Sequence, residues 1–271
     1  MLKVAWTPEY AHPLPEGHRF PMAKYDKLPE LLLREGTLSP SNLFSPSPAS
    51  PDVITLTHDP EYLQRLEHQE LDRKEQRKTG FPLSPELVHR EKIISQGTID
   101  CCAYALEYGA AMNVAGGTHH AYFAHGEGFC LLNDIVVSSN ALLKAGKIRK
   151  VLVVDLDVHQ GNGTARLTEQ DDRIFTFSMH GANNYPMHKE TSNLDIPLPD
   201  GTDDAFYLTT LKRELPALLD REMPDLIHFQ SGVDVLASDK LGRLGLSLEG
   251  CKERDRFVLS ECKRHDIPVV C

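Results

Sequence analysis

The stretch VLVVDLDVHQGNGT, Val151 to Thr164, decides how the rest of the chain is read. Val151, Leu152, Val153 and Val154 form a short apolar run of the kind that makes a strand buried on both faces. Asp155, Asp157 and His159 follow at alternate positions, and in extended backbone alternate side chains point the same way. Gly161 and Gly163 then let the chain turn away sharply. Two carboxylates and an imidazole are thereby delivered together at the end of a buried strand, where an unpaired carboxylate is costly. Solvated loop residues have no need of so apolar a strand before them, whereas metal ligands or catalytic groups do.

The flanking sequence alternates strand with helix. Leu2 to Trp6 reads as a first short strand, and Met22 to Arg34 carries apolar residues at helical spacing (Met22, Tyr25, Leu28, Leu31, Leu32). The Ser/Pro-rich run from Ser39 to Pro51 reads as a loop, because its prolines fit neither a helix interior nor a central strand. His58-Asp59-Pro60 opens a helix through Tyr62, Leu63 and Leu66, and the charged run Leu71 to Lys78 reads as a solvated helix end or exposed loop. A long helical pattern from Pro85 to Tyr108 leads into a short buried strand, Ala111 to Ala115, and a helical run from Asn133 to Ala145 precedes the central strand. Beyond it come a strand at Arg173 to Met179, a helix around Asp204 to Arg221, a strand at Asp225 to Gln230, a helix near Gly250 to Arg264 and a last strand, Ile267 to Val270. This order predicts a single α/β domain over residues 1–271, with three layers (α/β/α) around a mainly parallel sheet.

Composition excludes several function classes. With 29 Lys and Arg against 39 Asp and Glu, the net charge is −10, which disfavours an electrostatic grip on nucleic acid or anionic lipid. No apolar run approaches the length of a membrane span and MLKVAWTPEY lacks a signal-peptide core, so a cytoplasmic protein is expected. The six cysteines contain no CxxC pair, which argues for reduced structural thiols rather than a thiolate zinc site.

Three polar clusters each lie just past the C-terminal end of a predicted strand: His119-His120 after Gly116-Gly117, the Asp155, Asp157 and His159 trio, and Asp234 in Ser231-Gly232-Val233-Asp234. That edge is where open parallel sheets build their sites. Asp157, His159 and Asp234 make a nitrogen and oxygen ligand set suited to a divalent ion such as zinc, with a position left open for water. A lone histidine after a strand is usually a hydrogen-bonded core residue. Two in a row after Gly-Gly favour catalytic use beside that water.

The same residues carry a resemblance. GGTHHA (Gly116 to Ala121), GEGFCLLND (Gly126 to Asp134), DLDVHQGNGT (Asp155 to Thr164) and SGVDVLASDKLGRLGLS (Ser231 to Ser247) resemble the zinc-dependent histone deacetylase family, with its arginase/deacetylase fold, over almost the whole chain. Gln160, Asn162 and the DKLGRLGLS segment are most similar to the class IV branch, to which bacterial deacetylase-like proteins of this size also belong.

The resemblance implies that Asp157, His159 and Asp234 bind zinc or ferrous iron, and that His119 and His120 flank the attacking water, His120 as proton shuttle and His119 as electrostatic partner. It assigns Asp155 to orienting His119 and Asn162 to hydrogen-bonding His120. Amide hydrolysis needs a Lewis acid, an activated water and a proton donor to the departing amine, which these roles supply. The resemblance further implies that Phe129 and Tyr185 line an acyl-lysine tunnel and that the Gly128 backbone meets the substrate amide. It places Arg19 near an internal exit channel, and Asp155, Asp157, His159, Ser178 and Met179 around a structural K+ or Na+.

One departure stands out. Members of the family follow the final strand with a Gly-rich turn and a Tyr whose hydroxyl polarises the scissile carbonyl, whereas this sequence stops at Cys271. Losing such a donor costs on the order of a hundred- to a thousandfold in rate. Because every other catalytic position is intact, the expectation is a domain lacking its C-terminal end rather than a degenerate member. The function implied is removal of acetyl or longer acyl groups from lysine side chains of proteins or peptides. The alternatives are deacylation of a small amine such as an acetylpolyamine, and a catalytically dead acyl-lysine-binding or scaffold protein.

Overall fold

The computed structural model describes residues 1–271, which divide into two compact units. The first, residues 1–145 with Val270, begins with β1 (Lys3–Ala5), α1 (Lys24–Arg34), β2 (Leu43–Phe44), α2 (Pro51–Ile54), α3 (Pro60–Glu67) and α4 (Arg73–Thr79). It continues through α5 (Pro85–Tyr108), β3 (Ala110–Asn113) and α6 (Asp134–Lys144). Strand β1 pairs in parallel with β2, through Val4 and Leu43, and with β3, through Val4 and Met112. The second unit holds β4 (Val151–Asp155), α7 (Asn162–Thr168), β5 (Ile174–Gly181), β6 (Leu194–Leu198), α8 (Asp204–Glu222), β7 (Leu226–Gln230) and α9 (Leu248–Arg264). Here β4 is central: Asp155 stands opposite Ser178 of β5 and Gln230 of β7, and β5 pairs in parallel with β6. With the short β8 (Val269–Val270), the hydrogen-bonded strand order is β2-β1-β3-β8-β7-β4-β5-β6, an eight-stranded sheet.

Local chemistry sets the best-anticipated elements. Helix α5 starts where Ser84 Oγ accepts from Leu87 N–H and Pro85 takes the first helical position, and it stops at Gly109, whose φ of +90° is left-handed. Its apolar side chains build the first unit's core, where Leu87 and Val88 pack with Ile54, Tyr62, Leu66, Phe81 and Leu131, and Ile93 and Ile94 pack with Tyr10 and Tyr25. Strand β4 is buried at every position, as its unbroken apolar run requires.

Three expectations change. The Ser39 to Pro51 run is not all loop, because Leu43 and Phe44 add an edge strand to β1. The charged 71–78 run is mostly α4, capped by Asp72 and Glu75 reciprocally and ended by Gly80 at φ +80°, with Leu71 buried beneath it. Strand β6 has no counterpart in the sequence reading. It carries Pro197, which an edge strand tolerates and a central one does not.

Between α3 and α6 lies a buried histidine that must stay neutral. His58 Nδ1 donates to Tyr122 O at 2.9 Å while its Nε2 accepts from Asn133 N–H at 2.9 Å, so both ring nitrogens are committed. Burial pushes its pKa down to about 4, against the backbone contacts to Tyr122 and Phe123 that oppose the shift. Because the folded value lies below the unfolded one, the stability His58 contributes is complete above about pH 6.5 and is lost as the pH falls toward 4. Urea unfolding is expected to show about 2 kcal/mol less stability from this residue at pH 5 than at pH 6.5. His58→Asn should flatten that dependence, and equal pH slopes for the two proteins would refute the assignment.

Candidate functional site

In the second unit β4 delivers Asp155 and stops, so strand alternation does not carry the next two ligand candidates. The carboxylates themselves turn the chain. Asp157 N–H donates to Asp155 Oδ1 at 3.2 Å, and His159 N–H donates to Asp157 Oδ1 at 2.8 Å. The turn expected from Gly161 and Gly163 is instead the start of α7: Gly161 has φ −72°, and Gly163 is the second helical residue. Asn162, buried, is the first.

Asp234 follows β7, and the loop that brings it is tied to the β4 end. Leu156 N–H donates to Gln230 O at 3.0 Å, and Val158 N–H donates to Asp234 Oδ1 at 3.0 Å. Gly232 passes so close to Asp157 that a Cβ there would fall 2.2 Å from Asp157 Oδ2. His159 Nδ1 consequently stands 3.0 Å from both Asp157 Oδ1 and Asp234 Oδ2. The donor atoms of Asp157, His159 and Asp234 all lie within 4.8 Å of one another.

The electrostatics of this trio suit a bound cation. Burial acts to lower the pKa of His159, but the hydrogen bonds to Asp157 and Asp234 outweigh it and push it up to about 10. Asp234 is raised, first by burial and then by the charge of Asp157. Two carboxylates and one imidazole sharing a proton form an oxygen and nitrogen donor set that a divalent ion fits, and binding an ion there would displace that proton.

Beside the trio, the β4–β5 register sets Ser178 against Asp155, and Met179 is buried next to it. Ser178 Oγ is 2.9 Å from His180 Nδ1, and Gly181 N–H donates to Val158 O at 2.9 Å. Tyr185 is partly exposed, with its ring 6.4 Å from that of His159. Gln160 also has a role that its sequence context does not reveal. It donates to Glu190 O (2.7 Å) and Asp195 Oδ1 (2.9 Å) and accepts from Glu190 N–H (2.9 Å), pinning the ligand loop to β6 and the segment before it.

The first unit brings the other candidates together. His119 and His120 are buried with ring centroids 4.1 Å apart. Gly128, at φ +54°, runs against His120, and a Cβ there would fall 2.7 Å from His120 Cδ2. Phe129 shares the left-handed conformation at φ +67°, which is strained for a side-chain-bearing residue. Hydrogen bonds from Gly128 N–H to Lys78 O (3.1 Å) and from Phe129 N–H to Thr79 O (2.6 Å) hold the pair in place. The Phe129 ring packs between Phe20 and Phe81, and the Arg19 guanidinium lies 4.9 Å from its centroid.

The histidine loop is anchored by Asp134, a residue with no assigned part in the sequence reading. Its buried carboxylate accepts from Thr98 Oγ1 (2.6 Å), Gly117 N–H (3.1 Å), Thr118 N–H (2.7 Å) and Thr118 Oγ1 (2.6 Å). Asn113 extends the network by donating to Thr98 Oγ1 at 2.9 Å. An amide cannot accept all of these, so Asp134→Asn should leave buried donors unmet and cost about 2–3 kcal/mol in urea unfolding. A loss below about 0.5 kcal/mol would show that the carboxylate does not hold the loop.

No helix is long and apolar enough to cross a membrane. The model of the histone deacetylase domain family matches residues 18–271. An uncharacterized protein of Picosynechococcus is 42% identical, over 99% of this chain and 89% of that one. Histone deacetylase 2 of Arabidopsis thaliana is 28% identical, over 93% of this chain and 68% of its own length. The crystal structure of an HDAC homolog complexed with SAHA superposes with a TM-score of 0.86 at 22% identity, covering 99% of this chain and 78% of the other, and so shares the fold. The four motifs that carry the histidine pair and the ligand loops, and the family match that runs through all of them, lead to one conclusion: the chain belongs to the histone deacetylase domain family.

Proposed function

We propose that the chain is a zinc-dependent amidohydrolase that removes acyl groups from the side-chain amine of lysine in proteins or peptides. The observation that carries this reading is the convergence of the Asp157, His159 and Asp234 donor atoms within 4.8 Å. Three protein ligands of this chemistry leave coordination positions open, as catalytic rather than structural zinc sites do. When bound, the ion supplies Lewis acidity to the scissile carbonyl and makes water a stronger acid.

The chain's own residues supply the proton traffic. His120 takes a proton from the attacking water at one ring nitrogen and returns it to the leaving amine, while Asn162 holds the other nitrogen. A neutral Asn stabilises the imidazolium less than a carboxylate would, which favours neutral imidazole as the base. His119, oriented by Asp155, supports the developing charge. The contact between Gly128 and His120 supports a role for the Gly128 backbone in aligning the substrate amide beside the base, with Phe129 and Tyr185 flanking the acyl-lysine stem. Arg19 is assigned to the path of the released acid. Asp155, Asp157, His159, Ser178 and Met179 would hold a K+ or Na+ that braces the β4 and β5 ends, a role favoured by the register that sets Asp155 against Ser178.

The test is a panel assay. Protein loaded with zinc or ferrous iron is offered acetyl-lysine peptides, longer acyl-lysine peptides and acetylpolyamines. Turnover of acyl-lysine peptides above the polyamines is the expected result, the reverse preference would favour the small-amine reading, and uniform inactivity of a version that carries the family's C-terminal Tyr would sink the hydrolase proposal.

A further inference from the structure

Helix α9 sends one long side chain back to the strand ends. Arg254 is fully buried, and its Nη1 donates to Leu156 O at 3.1 Å and to Gly232 O at 2.6 Å. Leu156 immediately precedes Asp157, and Gly232 belongs to the loop that delivers Asp234. One nitrogen therefore joins the two backbone segments that present the carboxylates of the trio. Nη2 lies 2.8 Å from Asp255 Oδ1 without making a hydrogen bond. Nε donates to Asp255 Oδ1 at 2.8 Å, and the Phe229 ring centroid lies 5.9 Å from Cζ. A buried cation is expensive to keep, and this one is oriented by Asp255 at Nε so that Nη1 meets both loops at once.

We propose that Arg254 is a positioning residue for metal binding, setting the separation of the loops that carry Asp157 and Asp234. The inference rests on the metal reading above and adds to it a residue that touches neither ion nor substrate. The contact between Gly232 and Asp157 makes the spacing sensitive, since movement of the 232 backbone by a fraction of an ångström is felt directly at Asp157 Oδ2.

Charge and position predict opposite outcomes, which makes the proposal sharp. A guanidinium close to a cation site repels the cation, so removing the charge alone would tighten metal binding. Loss of alignment would loosen it, by about ten- to a hundredfold for a residue supporting metal ligands. The experiment measures Co2+ and Zn2+ affinity by chelator competition, the visible absorption of saturated Co2+ protein, and the circular dichroism of the metal-free protein for Arg254→Met and Arg254→Lys. Arg254→Met is expected to keep its metal-free fold, bind either ion ten- to a hundredfold more weakly and shift the Co2+ spectrum. Arg254→Lys, which keeps the charge and can reach one carbonyl, should fall between Arg254→Met and the parent. Unchanged or tighter binding with an unchanged spectrum overturns the proposal. If Arg254→Met does not fold, Arg254→Lys decides by the same criteria, and failure of both to fold makes Arg254 a residue of the fold alone, which also overturns it. Asp157→Ala, measured alongside, separates the two ideas, because full metal binding by that variant would sink the metal site itself whatever Arg254 does.

Discussion

Asp234→Ala is expected to reduce the divalent metal content from one ion per chain to almost none. The expectation follows from the geometry: His159 Nδ1 lies 3.0 Å from a carboxylate oxygen on either side, and the like charges of Asp157 and Asp234, on two loops, are held close together. A divalent ion relieves that repulsion. Without Asp234 only two ligands remain, and His159 keeps Asp157 as its ion-pair partner, which competes with any ion. Elemental analysis of parent and variant after gel filtration is the direct measurement. Linkage gives a second one, since an ion present at a hundredfold over its Kd stabilises the folded chain by about 2.7 kcal/mol. The parent should melt several degrees higher with zinc than without it, and Asp234→Ala should melt at the same temperature in both conditions. Equal metal content in the two proteins would refute the ligand assignment.

His120→Ala should have the opposite profile, with metal retained and chemistry lost. His120 lies in the first unit, buried against Gly128 with its ring tilted at 46° to that of His119, and makes no part of the donor trio. Metal content and the zinc-dependent rise in melting temperature are therefore expected to match the parent. In a version that carries the family's C-terminal Tyr, the acyl-lysine hydrolysis rate should fall by about two to four orders of magnitude, the usual worth of a positioned general acid–base. His119→Ala should cost less, because its proposed part is electrostatic. If His119→Ala abolishes turnover while His120→Ala leaves kcat nearly intact, the two roles are exchanged. If neither variant slows the reaction, the mechanism is wrong.

The two variants bear on different links of the argument. Loss of metal in Asp234→Ala tests whether a site exists, and loss of rate without loss of metal in His120→Ala tests what the site does. Asp134→Asn adds a third comparison, since it disturbs the loop carrying both histidines without removing either.

Much of the architecture was legible because its signals are local. Val151 to Val154 announce a strand by apolar content alone, and Ser84, Pro85 and Gly109 bracket α5 because caps act within a single turn of chain. The ligand candidates were legible because Asp157, His159 and Asp234 follow strand ends, and their convergence is what the parallel β4–β7 pairing produces. Other features depend on partners remote in sequence. Strand β6 exists because β5 offers it an edge, despite Pro197. The side chains of Asp157 and His159 are aimed by carboxylate-capped turns, which override the strand alternation that first grouped them. In KERDRF, Arg254 reads as one more charge on a solvated helix face, yet it is fully buried with its Nη1 on the carbonyls of Leu156 and Gly232. The sequence alone determined which residues could do the chemistry and which strands would carry them. Only the tertiary structure decided which side chains hold those residues in place, because buried hydrogen bonds such as those of Asp134, Gln160 and Arg254 form between segments far apart along the chain.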